Sequence, residues 1–286
     1  MLLILKRFFI YLLAASLGFL FLSFHPASNY NCREVMDKMI KSVSEVRGLR
    51  YDLKLVERIE KKYNYFGSSV KLNRKPRKLY LNAKGIEVLW VEGKHDGDAL
   101  VNPNSFPYIN LYLDPYGSLM RQDQHHTIHE AGFDYFCSII EANVKKTGDK
   151  FDQYFIPNGE EIMNGRACYK IIINNKDFGS VNYTVQKGET LITIARKLFV
   201  GEFMILSLNK PKVGDYKDVK PGQVIKVPTA YAKYVFLYID KQNYLPIAVR
   251  VYDDKGLYEQ YDYSNVQLNP AFAPDEFTKD FKGYNF

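Results

Sequence analysis

"YTVQKGETLITIARKL" occupies Tyr183–Leu198, between two apolar runs, "ACYKIIIN" (Ala167–Asn174) and "KYVFLYID" (Lys233–Asp240). Both flanking runs read as strands, and consecutive strands of a meander are usually spatial neighbours. The quoted stretch is then an insertion at a hairpin position, where extra length costs little stability and where its two ends must lie close together. Taken alone, residues 183–228 give a strand "YTVQ", a turn at Gly188-Glu189-Thr190, and a helix with Leu191, Ile194, Ala195 and Leu198 on one face and Thr190 as its N-cap. A second helix ending "ILSLN", a turn "KPGQ" and a strand "VIKVP" complete a β-α-α-β unit.

Outward from the insertion, the period tells helix from strand. "CREVMDKMIKSVSEV" places Val35, Met36, Met39, Ile40 and Val43 at helical spacing, with Gly48 expected to close the helix. "LRYDLKLVERIEKKY" then alternates, with Leu49, Tyr51, Leu53 and Leu55 on one side, and "KPRKLYLNA" and "GIEVLWVEG" continue the meander across Gly85 and Gly93. After the turn in "FPYINLYLDPYG", helical spacing returns through Phe133, Phe136, Ile139, Ile140 and Val144. Past the insertion, "LPIAVRVYD" and "LYEQYDYSNVQL" follow "KYVFLYID" through the short connectors "KQN" and "DKG". In "KYVFLYID" both alternating sets are apolar, so that strand is expected to be covered on both faces, by helices on one and by a concave apolar cavity or a packed second layer on the other. The fold class is α+β: a twisted antiparallel half-barrel with covering helices, interrupted by a small βααβ domain. The expected division is 29–180 plus 231–286 for the discontinuous host and 181–230 for the insert.

A chain of 286 residues with 47% hydrophobic and 25% charged residues has a globular composition. Lys6 and Arg7 precede an apolar stretch from Phe8 to Phe24, the order of a secretory signal, so residues 1–28 are expected to export the chain to the periplasm or cell envelope. Cleavage near Ala27 and retention of residues 8–24 as an inner-membrane anchor both fit that stretch. Cys32, Cys137 and Cys168 are too few for a disulfide scaffold and are not spaced as a zinc site; one pair, or three buried thiols, are both compatible with the sequence. Net charge is +7, and residues 181–230 hold eight Lys and Arg against four acids, so the basic character sits largely in the insert. An anionic polymer or membrane surface suits it; nucleic acid does not, given export and the lack of an arginine-rich or helix-turn-helix pattern.

The segments "YTVQKGETLITIARKL", "ILSLN" and "VKPGQVIKVP" resemble the lysin motif, LysM, a glycan-binding module of bacterial walls. The resemblance implies binding of peptidoglycan or another N-acetylglucosamine polymer in a shallow groove between the loop after the first strand and the loop after the second helix. In this sequence those loops supply Gly188, Glu189 and Thr190, and Asn209, Lys210 and Pro211. Exposed backbone N–H and C=O groups at helix termini can meet acetamido groups, and glycine permits close approach. Two positions depart from the motif: Phe199 stands where a glycine usually follows the first helix, and Gly201 replaces the Ser or Thr cap of the second.

The flanking segments "EVLWVEGKHDG", "LYLDP", "IHEAGF" and "DKQNYLPIAVRVYDDKGLYEQYDYSNVQLN" resemble an uncharacterised family of exported bacterial proteins, itself similar in fold to periplasmic lipoprotein carriers of the LolA/LolB type. That resemblance implies an apolar cavity able to accept lipid or lipoprotein acyl chains. In "QHHTIHE", His125 and His129 would share a helical face, but the pattern is not HExxH and no third metal ligand is identifiable, so neither metal nor cofactor is expected. Cys137 falls on an apolar helix face, and no acid/base pair is evident, so no catalytic residue is assigned. The leading expectation is a non-enzymatic envelope protein; a peptidoglycan-targeted hydrolase acting through His129 or Glu130 and a non-catalytic membrane-to-wall tether are the alternatives.

Overall fold

The computed structural model describes residues 30–106 and 108–286; the signal or anchor expected at 1–28 lies outside the described residues. Among the described residues no helix is long and apolar enough to cross a membrane. Helix α1 (Cys32–Glu45) starts at Asn31, whose side chain accepts from the Glu34 N–H, and buries Val35, Met36, Met39 and Val43 as its spacing predicts. It stops at Val46, which turns to extended backbone, rather than at Gly48. Gly48 instead opens β1 (Gly48–Ile59), where an added Cβ would lie 2.8 Å from the Phe272 ring. There the glycine answers to close packing, not to helix termination.

The chain continues through β2 (Lys62–Arg74), β3 (Arg77–Ala83), β4 (Ile86–Val91), β5 (Ala99–Asn102) and β6 (Leu111–Leu113), then α2 (Asp134–Thr147), the short α3 (Phe151–Tyr154), β7 (Phe155–Met163) and β8 (Arg166–Asn174). After the insert come β11 (Tyr234–Asp240), β12 (Pro246–Asp253) and β13 (Gly256–Leu268). These strands form one open antiparallel sheet in the order β6-β5-β4-β3-β2-β1-β13-β12-β11-β8-β7. β8 pairs with β11 from Asn174↔Tyr234 to Cys168↔Asp240, as the meander argument requires.

The insert consists of β9 (Ser180–Thr184), α4 (Leu191–Leu198), α5 (Glu202–Asn209) and β10 (Val224–Pro228), with β9 and β10 paired antiparallel. Val185, Leu191, Ile194, Ala195, Ile205, Val213 and Ile225 form its own buried core. Its two exits are laced together: Thr229 N–H donates to Gly179 C=O at 3.0 Å, and Asn175 N–H donates to Lys233 C=O at 2.9 Å.

The helix-covered face of the sheet is filled by side chains. Met36, Met39, Leu72, Ile171 and Leu237 are fully buried, and the rings of Tyr51, Phe133 and Tyr263 pack on one another at centroid distances of 4.7 to 6.4 Å. Aromatic side chains thus fill much of the space between the sheet and its helices. The other face of β11 differs from expectation: Phe236 and Tyr238 are covered by Lys170, and Tyr238 also by Arg250, rather than by a second layer. Long cationic side chains screen aromatic faces while keeping their charge wet. The three cysteines are buried free thiols, and burial pushes Cys32 and Cys137 to about 12 and Cys168 to about 11. None is a ready nucleophile near neutral pH.

The chain ends by laying Phe272, Phe277, Tyr284 and Phe286 over Tyr80, Leu89 and Leu100. Glu276 anchors this tail, accepting from Arg50 at 2.8 Å and pairing with Lys71 at 3.1 Å. Burial alone would raise the Glu276 carboxyl, yet Arg50, the Ala273 N–H and Lys71 hold it below the usual carboxylate range. Its stabilisation of the tail is therefore complete above about pH 4.3, the value of a free glutamate, and fades as pH falls through the lower folded value. Hydrogen exchange of the tail amides is expected to accelerate relative to the sheet below about pH 4. Glu276→Gln should show the loosened tail already at neutral pH; equal protection in the variant and at both pH values would contradict this.

Candidate functional site

Two loops of the insert carry the residues expected to meet a glycan. Gly188 has φ +82° and nothing near its Cβ position, so the turn needs glycine for its backbone conformation and leaves it open to solvent. The Glu189 carboxylate accepts from the Tyr183 hydroxyl at 2.8 Å, the Gln186 N–H at 2.9 Å and Lys197 at 2.9 Å. The Gln186 N–H foremost, then Lys197 and Tyr183, hold it below its ordinary value. Thr190 caps α4 in a reciprocal pair with Thr193. At the other loop, the Asn209 amide donates to Lys226 C=O and accepts from Lys226 N–H, both at 2.8 Å. The loop after α5 closes on the start of α4 where Leu191 N–H donates to Tyr216 C=O at 2.8 Å. Glu189, Thr190 and Asn209 thus spend their side chains on loop shape, whereas Gly188, Lys210 and Pro211 are exposed.

The departures from the motif have structural reasons. Phe199 takes the left-handed conformation, φ +55°, that the usual glycine would supply. Gly201 is buried against the host, where an added Cβ would lie 3.7 Å from Met204 and from the Tyr231 ring. Helix α5 has no polar face over its first turns: Ile205 packs into the insert's core, Met204 into the host core, and Phe203 bridges the two. A helix apolar all round is a buried helix, here one shared between two cores.

A buried charged cluster sits at the same junction. Arg121 of the host pairs with Glu202 of α5 at 2.5 Å and lies 3.4 Å over the Tyr216 ring. Arg196 of α4 lies 4.0 Å over the Tyr135 ring and pairs with Glu130 of the host. Behind them, Glu57 on β1 stands directly opposite Glu259 on β13 in the strand register. Like charges in that position repel unless compensated. His125 and His126 converge on Glu259 Oε1, with His125 Nδ1 at 2.7 Å and His126 Nε2 at 3.2 Å. Burial would raise the Glu259 carboxyl, but the two histidines hold it well below the carboxylate range; burial pushes Glu57 up. His126 is held above its ordinary value because Glu259 outweighs its burial.

The histidine pattern therefore resolves differently from its helical reading. Only residues 128–130 form a turn of 3-10 helix, so His125 and His129 do not share a face. His129 meets Trp90 edge-on and stacks on Tyr116, at centroid distances of 4.7 and 4.9 Å, and burial, then Arg77, lowers its pKa. Glu130 closes the capping box of that turn and binds His126 Nδ1 at 2.5 Å. The partners missed in the sequence, Glu57 and Glu259, occupy inward positions in alternating sets otherwise filled by Leu49, Tyr51, Leu53 and Leu55, and by Tyr261 and Tyr263. An acid at an inward position was the available signal.

Residues 183–228 match the family model described as LysM domain, and residues 46–201 match the one described as Protein of unknown function (DUF1571). No curated protein sequence matches the chain. Among solved structures it is similar to MucB, at 9% identity over 86% of this chain and TM-score 0.40, spanning only 62% of that protein's length. It is also similar to the lipoprotein LppX of Mycobacterium tuberculosis, at 9% identity over 84% of this chain and 97% of that one, TM-score 0.40. A LolA superfamily protein of Nitrosomonas europaea shows 11% identity over 88% and 99% of the two chains, TM-score 0.33. With an insert that is a LysM domain and more than half of its length matched by the other model, the chain belongs to the DUF1571 family of proteins of unknown function.

Proposed function

We propose that this chain is an exported, non-enzymatic cell-envelope protein that binds peptidoglycan-type N-acetylglucosamine chains through a module spanning 181–230, displayed on a discontinuous host of 29–180 plus 231–286. The observation that carries the reading is the LysM match on a β-α-α-β unit with its own core. The glycan would lie along exposed backbone at Gly188 and at Lys210-Pro211, in loops whose shape Glu189, Thr190 and Asn209 maintain. Docking on the host fixes the module's orientation, as a flexible linker would not. The filled helix-covered face favours a scaffold role for the host over an acyl-chain carrier. Retention of residues 8–24 as an anchor would make the same protein a tether between inner membrane and wall. The hydrolase alternative is weakened by the engagement of His129 in ring stacking and of Glu130 in capping and ion pairing.

The test is co-sedimentation with purified peptidoglycan, comparing the full chain with a Gly188→Val/Asn209→Ala double variant whose fold is checked by near-ultraviolet circular dichroism. Valine disfavours positive φ, and alanine frees the loop from Lys226. Retention is expected to fall at least about tenfold, a loss of roughly 1.4 kcal/mol in binding. Equal retention by a folded variant would remove the glycan assignment.

A further inference from the structure

The junction cluster concentrates negative charge out of solvent. Four carboxylates, Glu57, Glu130, Glu202 and Glu259, lie almost fully out of solvent, against two guanidiniums, Arg121 and Arg196. Arg58 is engaged with Asp253, so the remaining positive groups facing Glu57 and Glu259 come from His125 and His126. Buried charges without compensation are costly. Within the cluster, ligand atoms of Glu57, His125 and Glu259 lie within 4.8 Å of one another. Glu57 Oε2 accepts from the His125 N–H at 3.0 Å, while Oε1 is buried with no hydrogen-bond partner.

The surroundings have the character of an outer ligand shell. His125 Nε2 lies 3.1 Å from the Arg58 carbonyl, which can only accept; that contact fixes the proton on Nε2 and turns Nδ1 toward the two carboxylates. Its ring is clamped between Phe203 and Tyr258, each at a centroid distance of 4.3 Å. The hydroxyls of Tyr231 and Tyr261 donate to Glu259 Oε2 at 2.8 and 3.1 Å, leaving Oε1 for the centre of the cluster. A cavity of about 210 Å³ is lined in part by Arg58, Phe203 and Tyr258, the last two being the rings that clamp His125.

We propose that Glu57, His125 and Glu259 form a binding site for one divalent transition-metal cation of the zinc class, which places positive charge between the two opposed carboxylates and ties β1, β13 and the 121–133 loop together beneath the docked module. One imidazole and two carboxylates form a donor set that suits such an ion. All three groups belong to the host, so the site does not depend on what the module binds.

The experiment uses untagged full chain, stripped with chelator and then supplied with Co²⁺ or Zn²⁺. Wild-type protein should bind about one equivalent, Co²⁺ giving visible ligand-field bands that Zn²⁺ abolishes. Glu57→Gln removes one of two opposed carboxylates and should fold at least as well as the wild type without metal, yet its metal content should fall below about a tenth of an equivalent. His95→Gln, away from the cluster, should retain full binding. Absence of the bands in wild-type protein would overturn the proposal. Nitrogen-15 spectra showing both His125 ring nitrogens still protonated in excess Zn²⁺ would do so as well, leaving a purely protonic ion pair.

Discussion

Glu202→Ala is expected to lower stability by about 3–5 kcal/mol, the range for removing one partner of a buried ion pair. It should also separate a single thermal transition into two. The Arg121 side chain is 1% exposed, and without Glu202 it keeps only the Tyr216 ring and the His125 carbonyl at 3.4 Å. Expelling that charge into water requires undocking the insert, because α5 roofs it. The insert holds its own core, so it should then melt separately from the sheet. Glu202→Gln, which keeps volume and a hydrogen-bonding oxygen, is expected to fall between wild type and alanine. Calorimetry on the full chain reads both effects; a midpoint unchanged within error, with one transition in every variant, would contradict the docking role of this pair.

The second large effect is expected at Gly132→Val, at about 2–5 kcal/mol from left-handed strain and overpacking together. Gly132 has φ +93°, and an added Cβ would sit 2.7 Å from Leu72 Cδ2, itself fully buried. Its N–H donates to the Tyr51 hydroxyl at 3.0 Å, pinning the end of the loop that carries His125, His126 and Glu130 to the sheet. Gly148 provides the comparison, because it also has positive φ but nothing lies near its Cβ position. Gly148→Val should therefore show the conformational part alone. Denaturant midpoints that shift equally for the two variants would mean that the contact with Leu72 is relieved at no cost.

The short-range patterns carried well from sequence to structure. The strand-turn-helix of Tyr183–Leu198 and the pairing of its flanking strands follow from local periodicity and the neighbour rule, and both are present. What failed depends on register or on distant chain. Gly48 reads as a helix stop until Phe272, more than two hundred residues away, is seen against it. The outer face of β11 reads as needing a second layer because alternation cannot show that Lys170 and Arg250 lie across it. Glu57 faces Glu259 only once β1 and β13 are aligned, and the sequence offered no more than an acid in each inward set. The second helix of the insert was legible from its end "ILSLN"; its role as a dock became apparent only with the host core beside Phe203 and Met204.

The most direct measurement is a titration of the nitrogen-15-labelled full chain with an N-acetylglucosamine oligomer, followed by amide chemical shifts. The account predicts saturable changes confined to Lys187–Leu191 and to Asn209–Lys212, with the amides of β1 and β13 unmoved. Shifts that fail to appear at millimolar oligomer, or that cluster on the host sheet instead, would contradict it.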